Sequence, residues 1–553
     1  MSRGQFFVGA GLILLILFCG QRHGLWRNGE MREVETGREM YLSGNWSVPK
    51  LNHEVYLEKP PLVYASVAAT YLIAGRVSDN LARLLSSFYG ALGLIALMLL
   101  GRRIGGERVG LWAGAILATA SLFFVRSHTC SIDITLAAFV TLTLFFFHRA
   151  YREGKEHYSW AELLPIYLFA TLAFYTKSFI GLILPGAAIV VFFVLMRDWK
   201  GAWRIKPWVG AVIFAALISP WFFDLWRQGG TSYLKMVFID NLLLRFVETE
   251  ESNLGHHTRW YWYFDIIWKY FLPWSLLLIP AAITLFRREM KERLLKSDRL
   301  FIVAWFVGDF LLLTASSTKR EVYMLPFFPA AALAVALWID QRLRAAGPKW
   351  EQAVLAAGGA ALAVAAVALP VWLAFEPRIG DRLALIAVPA ALAAIGLALA
   401  WRRDANRLAT AGLALLWVAG MTASCFYLPV YSLDHDASPF ARAVTAMTPD
   451  AKQYYFLQEH GVLGYMDFYS GKPAVDMATV DKQVAKPLQL VRLAAGPEPV
   501  YLVMIAQQQK TEDSYQKFVR ERGARLKELY REPVSDRTSV LWQLVPAAPE
   551  DKP

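Results

Sequence analysis

The sequence predicts an all-α, polytopic membrane domain followed by a small α/β domain outside the bilayer. Three observations predict it. Of 553 residues, 56% are hydrophobic and 18% charged, with a mean hydropathy of +0.35. Apolar stretches of roughly 15–22 residues recur from residue 6 to 428, and a bilayer-spanning helix needs about 20. From about residue 429 the long apolar runs stop, and short apolar runs alternate with polar segments.

The first run, Phe6 to Gly20, lacks a small-residue cleavage site and is followed by many more, so it reads as a span and not a signal peptide. Thirteen spans are expected, at about 5–20, 82–100, 109–126, 134–150, 160–176, 178–196, 208–226, 266–286, 300–315, 322–339, 353–375, 383–400 and 408–428. The linkers fall into two classes. GRRIGGER, YREGK, RDWKGAWRIK, RREMKERLLKSDR, QRLRAAGPK and RRDANR hold about 21 lysines and arginines; those around Asp133, Lys177, Lys319 and Arg378 hold about six. Lys/Arg excess marks the cytoplasmic side. The N-terminus is then cytoplasmic, and 21–60, 227–265 and 429–553 are extracytoplasmic.

Pro60 to Gly75 is apolar but short and opens with two prolines. If it crossed, every later basic loop would face outward, so it is expected to lie at the interface or to re-enter. The domain division expected is a membrane domain at 1–428, with a first extracytoplasmic loop at 21–81 and a second at 227–265, and a soluble α/β domain at 429–553. In that tail, Gln453–Gln458, Val500–Ala506 and Ser539–Leu544 read as strands and Ser514–Leu529 as a charged helix.

The net charge of +12 is carried by linkers between apolar segments, which points away from nucleic acid and toward the positive-inside pattern. Cys19, Cys130 and Cys425 lie in or beside apolar segments and predict no disulfide framework. There is no P-loop, dinucleotide fingerprint or hydrolase elbow, so no nucleotide cofactor is expected.

Charged residues beside the bilayer are the candidates for chemistry, because charge there is costly unless paired or used. The first loop carries Glu30, Arg32, Glu33, Glu35, Arg38 and Glu39 at helical spacing, then Tyr56, Glu58 and Lys59 before the two prolines. For the former group the plain account is a solvated amphipathic helix, and for Glu35 and Glu39 that account and a functional role stand level; Glu58 and Lys59 open an apolar segment and read as functional. Asp133, Lys177 and Lys319–Arg320 sit at span ends on the same expected side. A single lysine there is an interfacial anchor, but a converging set suits a lipid phosphate or pyrophosphate. His256 and His257 precede the aromatic run that begins at Trp260. A histidine with a carboxylate such as Glu58 is also a donor set for a divalent metal, zinc or magnesium.

The assembled motifs resemble the C-type membrane glycosyltransferases, most closely the lipid A 4-amino-4-deoxy-L-arabinose transferase (ArnT) family. The resemblance is carried by Glu30–Met31–Arg32, Arg38–Glu39–Met40, Ser43–Gly44–Asn45–Trp46, Pro49 and the run Tyr56–Leu57–Glu58–Lys59–Pro60–Pro61. It continues through Asp133, Thr176–Lys177, Arg245–Phe246, His257, Lys319 and Tyr323-x-Leu325-Pro326, and fades after about residue 340. One departure stands out. The aspartate that opens the family motif, the usual candidate base, falls on Gly29 here, and the family tyrosine four residues on falls on Glu33.

The resemblance implies a C-type fold and inverting transfer of aminoarabinose from undecaprenyl phosphate to a lipid A phosphate, at the periplasmic side of a bacterial inner membrane, with resistance to polymyxin. It implies a monomer that contacts donor, acceptor and membrane lipids. Catalytic candidates are Glu30, Glu33, Lys59 and Asp133. Substrate-binding candidates are Arg32, Tyr56, Glu58, Lys59, Lys177, Arg245, Lys319 and Tyr323. Glu58 and His257 are the metal candidates. A related enzyme moving galacturonic acid or a hexose to lipopolysaccharide or protein is the nearest alternative; a lipid transporter or a non-catalytic lipid-binding protein is more distant.

Overall fold

The computed structural model describes residues 2–21, 23–26, 29–154, 158–243, 259, 261–316, 319–345, 347–375, 405–433, 436, 438–456, 463–476, 499–506, 513, 516–517, 519–520, 524–534 and 537–546. The chain divides into two compact units. One comprises residues 1–21, 57–63 and 83–428; the other comprises 22–56, 64–82 and 429–553.

The first unit is a helix bundle, and the protein is a multi-pass membrane protein. Helices lie at every expected span except 383–400, which falls outside the described residues. Five of the described helices are long and apolar enough to cross a bilayer alone, or seven if two bent pairs each count as one span. The pairs are Glu107–Thr119 with Ser121–Ser127, bent by 73°, and Trp262–Tyr270 with Ser275–Phe286, bent by 117°. The total of thirteen therefore rests on the charge pattern and not on helix length. Lys296–Ala315 packs on Ile180–Met196, and Ile132–Arg152 on Trp160–Lys177. Phe147, Phe174, Phe192, Trp305 and Trp338 fill the bundle core, fully buried. Neither core indole is left unsatisfied: Trp305 donates to the Pro326 carbonyl at 3.1 Å and Trp338 to Glu351 at 3.0 Å.

The basic linkers gather at one end of this bundle around buried carboxylates. Asp340, fully buried, accepts Arg108 at 2.9 Å, Arg344 at 2.8 Å and also Arg293. Glu351 takes Arg342 at 3.2 Å and also Arg287. Asp298 meets His148 at 2.9 Å and Arg152 at 3.5 Å. His148 and Arg152 stand at the C-terminal end of Ile132–Arg152, whose first turn carries Asp133. At 1.5 Å per residue the two ends of that 21-residue helix are about 30 Å apart. The two linker classes of the sequence thus occupy opposite ends of one bundle.

In the second unit, the first loop supplies a helix, Gly29–Ser43, and a hairpin of β1 (Lys50–Leu51) and β2 (Glu54–Val55). Asn52 and His53 at its tip both have positive φ, 54° and 66°, as a two-residue turn of the twist-matched type requires. Helix Leu62–Ala74 is 13 residues long, too short to span, as the sequence predicts for this segment. The tail forms a five-stranded sheet ordered β4–β3–β5–β7–β6, from β3 (Tyr454–Phe456), β4 (Ala474–Asp476), β5 (Val500–Ala506), β6 (Ala524–Val534) and β7 (Arg537–Pro546). β3 runs parallel to β4 and β5; β7 is antiparallel to β5 and β6. Leu502, Met504, Val540 and Trp542 form its core.

Strands β3, β5 and β7 match the expected ones, but the charged helix at Ser514–Leu529 is wrong in its second half. Residues 524–529 belong to β6, paired along its length with β7. Ala524 and Leu526 alternate with exposed Arg525 and Lys527, a two-residue period that the bulge between Glu528 and Tyr530 then shifts. Glu and Lys at this density mimic a helix, and pairing with a strand as apolar as β7 overrides that preference.

Asp340→Ala would strand three arginines at the buried end of the bundle. The substitution is expected to cost about 3–5 kcal/mol and to lower the midpoint of thermal unfolding in detergent, whereas Glu292→Ala, on an exposed pair with Arg288, is expected to leave it unchanged.

Candidate active site

The bundle end opposite the arginine linkers is built around one ion pair. Asp133 lies in the first turn of Ile132–Arg152, where the helix dipole favours an anion. Lys177 closes the antiparallel neighbour Trp160–Lys177, where the dipole favours a cation. Ser178, at φ 58°, turns the chain sharply after it, and Gly181 permits the turn, since a Cβ there would meet the Ala173 carbonyl at 2.2 Å. The ammonium of Lys177 donates to Asp133 Oδ1 and also stands over the Tyr323 ring, 4.2 Å from its centroid. Lys59 and Arg126 add positive charge around the same carboxylate. Arg126 reaches Glu321 at 3.6 Å, and the Tyr263 hydroxyl holds the Arg320 carbonyl at 3.2 Å. Lys319 is buried and donates to the Ser316 carbonyl. Lys177, Arg126 and Lys59 thus converge on Asp133, the kind of cation cluster that suits an oxyanion.

Separately, the second unit holds the first-loop helix. Glu30 accepts the Trp26 amide at 2.7 Å. Glu33 takes Arg32 at 2.9 Å and lies beside the hydroxyl of Tyr64, whose ring meets Tyr56 edge-on at 6.3 Å. Burial, with the Glu33 carboxylate beside it, pushes the Tyr64 hydroxyl well above the usual tyrosine range. Burial likewise pushes the Glu35 carboxyl up, although Arg38 forks onto it at 2.7 and 2.8 Å. Glu39 accepts the His53 amide at 3.1 Å and so ties helix to hairpin. At Gly37 a Cβ would press on Val67 at 2.5 Å, so glycine lets this helix sit close on Leu62–Ala74. Around Gly29 the same test finds open space.

Of the residues singled out by sequence, the structure therefore brings together Asp133, Lys177 and Tyr323, with Lys59 in electrostatic reach. It groups Arg32, Glu33 and Tyr56 separately, around Tyr64. Glu58 is exposed. Arg245 and His257 lie outside the described residues, so the Glu58–His257 metal pair does too. Among the described residues the one group of close carboxylates is Glu35, Glu39 and Asp467, whose ligand atoms lie within 4.8 Å of one another. Sequence reading missed Arg126, hidden at the end of an expected span, and Tyr64, in a segment read only for its apolarity.

Residues 58–223 match the family model described as dolichyl-phosphate-mannose-protein mannosyltransferase. The undecaprenyl phosphate-alpha-4-amino-4-deoxy-L-arabinose arabinosyl transferase 2 of Proteus mirabilis is 29% identical over 338 residues, 60% of this chain and 59% of that protein. Its counterpart in Edwardsiella ictaluri is 27% identical over 320 residues, 57% and 56%. An uncharacterized protein of Aquifex aeolicus is 26% identical over 332 residues, 60% and 63%. The chain thus matches less than two thirds of the length of these relatives. Among solved structures, ArnT from Cupriavidus metallidurans bound to undecaprenyl phosphate superposes with a TM-score of 0.74 at 20% identity, covering 98% of both chains. The Archaeoglobus fulgidus oligosaccharyltransferase gives 0.52 at 13%, covering 86% of this chain and 65% of that one. The fold is that of the C-type membrane glycosyltransferases. Within that class the chain is similar to the ArnT proteins in sequence and in fold, the resemblance its motifs predict.

Tyr323→Phe should leave the thermal unfolding midpoint near that of the unaltered chain, because the ring face under Lys177 is kept. Tyr323→Ala should lower it by an amount equivalent to about 0.5–2 kcal/mol, the range of a cation–π contact.

Proposed function

We propose that the protein transfers 4-amino-4-deoxy-L-arabinose from undecaprenyl phosphate to a phosphate of lipid A, with inversion, at the periplasmic face of a bacterial inner membrane. The observation that carries this reading is the cation cluster on Asp133 at the bundle end opposite the arginine linkers. Such a cluster at a membrane boundary suits a lipid phosphate. The names of the Proteus and Edwardsiella relatives supply the sugar and the carrier.

In the proposed reaction an oxygen of the lipid A phosphate attacks the anomeric carbon. The bond from that carbon to the carrier phosphate breaks, and its electron pair leaves on undecaprenyl phosphate. A general base contributes 10²–10⁴-fold when an acceptor hydroxyl must lose a proton. A phosphate monoester, with a second pKa near 6, is already an anion at neutral pH. The work left to the protein is positioning and neutralisation of two phosphates. Lys59 and Lys177 bind those phosphates, with Arg245, Lys319 and Tyr323 assisting. Asp133 fixes the ammonium of Lys177. Glu58 and His257 hold either the amino group of the sugar or a divalent metal. Glu30 and Glu33, engaged with Trp26 and with Arg32 and Tyr64, serve the first loop, so Gly29 is compatible with catalysis. The lipid A product carries added positive charge, which weakens its attraction for cationic peptides such as polymyxin.

Gly29 also favours one second reading, the same chemistry with another sugar or acceptor. Mass spectrometry of lipid A from a transferase-deleted, polymyxin-sensitive strain expressing this chain separates the two. The proposed function predicts a mass gain of one aminoarabinose, reduced about 10²-fold or more in Lys59→Ala. A gain of a different sugar, or none from a folded and inserted chain, contradicts it. Gly29→Asp, which the open space accommodates, should change the transfer rate by less than the 10²-fold expected of a restored base.

A further inference from the structure

The mechanism leaves the cysteines unused, and two of them meet. Cys19 follows the first helix, Arg3–Phe18, and Cys425 lies in the π-helical turn Ala423–Tyr427, near the end of the last span. Their side chains lie close enough to interact. The backbones around them are close as well. A Cβ on Gly20 would fall 1.6 Å from the Ser424 carbonyl, and Ser424 Oγ donates to the Ile16 carbonyl at 2.8 Å. Both thiols are half-buried and so open to a reagent, while Cys130 is buried. The His128 ring also reaches the Ile16 carbonyl, at 3.0 Å, which places the pair at the Asp133 end of the bundle. That end faces the oxidising side of the membrane in the topology proposed above, on which this inference rests.

We propose that Cys19 and Cys425 close to a disulfide that staples the first span to the last. Each thiol gives up its proton, the pair gives up two electrons, and one sulfur–sulfur bond forms. The acceptor is a dithiol–disulfide oxidant, whose own disulfide is reduced to two thiols by exchange. The bridge closes a loop of roughly 400 residues, the long-loop case in which a crosslink most restricts the unfolded chain. Cys19 and Cys425 meet in the fold although they stand at opposite ends of the membrane sequence. Spacing alone therefore gives no sign of the pair.

The test counts thiols on the full chain. Membranes are prepared with N-ethylmaleimide present from lysis onward, and the denatured chain is then labelled with a polyethylene glycol maleimide before and after reduction. A parallel sample is denatured without blocking. The disulfide predicts one reactive thiol, Cys130, in the unblocked and unreduced chain, and three after reduction. In the blocked sample, reduction should newly expose two. Cys130→Ser should give none and then two, and a crosslinked peptide should join the Cys19 and Cys425 segments. Three reactive thiols without reduction overturn the proposal. If oxidised glutathione added to such membranes then closes the bridge, the pairing is sound but this end faces a reducing compartment, and the proposed topology fails with it. If it does not, the pairing itself is refuted while the topology stands.

Discussion

The ion pair between Lys177 and Asp133 is the contact on which the candidate site depends. Each partner sits where its own helix terminus favours its charge, and the two helices are antiparallel neighbours. A charge at this depth is held only if it is paired or serves a ligand. Pairing with Asp133 fixes the ammonium, and the ring of Tyr323 restricts it from another face. Lys59 and Arg126 then bring further positive charge to a carboxylate already engaged. The result is a group of cations converging on one carboxylate.

The opposite end of the bundle follows a different logic. There Asp340 and Glu351 each meet several arginines and take up charge from several linkers at once, while Asp298 meets His148 and Arg152. Such networks are costly to desolvate and costly to break, so they lock the helix ends. In the proposed function, one membrane protein thus uses arginine–carboxylate networks for structure at one end and a cluster of cations for recognition at the other. The transfer chemistry proposed here asks for little more. When acceptor and leaving group are both phosphates, the transition state needs positioning and positive charge more than a base, and Gly29 in place of an aspartate becomes intelligible.

How much of this was legible in the sequence varied with the physics. Apolar length located the helices, because the bilayer imposes a long uninterrupted run, and the lysine–arginine asymmetry separated the two ends that the fold then keeps apart. Lys177, Asp133 and Tyr323 were legible one by one, as charges and an aromatic at span ends and as family motifs; that they touch is a consequence of helix pairing. Arg126 was hidden because an arginine at the end of an apolar run reads as an anchor. Residues 524–529 were misread because their charge density suits a helix, while the partner strand that decides their state lies elsewhere in the chain. The Cys19–Cys425 contact spans almost the whole membrane domain, and no local pattern encodes it.

The central claim is that the cations gathered on Asp133 hold the phosphate of the lipid carrier. Native mass spectrometry of the purified chain, titrated with undecaprenyl phosphate and in parallel with undecaprenol, tests it most directly. The account predicts binding that depends on the phosphate, weakens with ionic strength and drops at least tenfold in Lys177→Met. Equal binding of the alcohol, or unchanged binding of the phosphate in that variant, would contradict it.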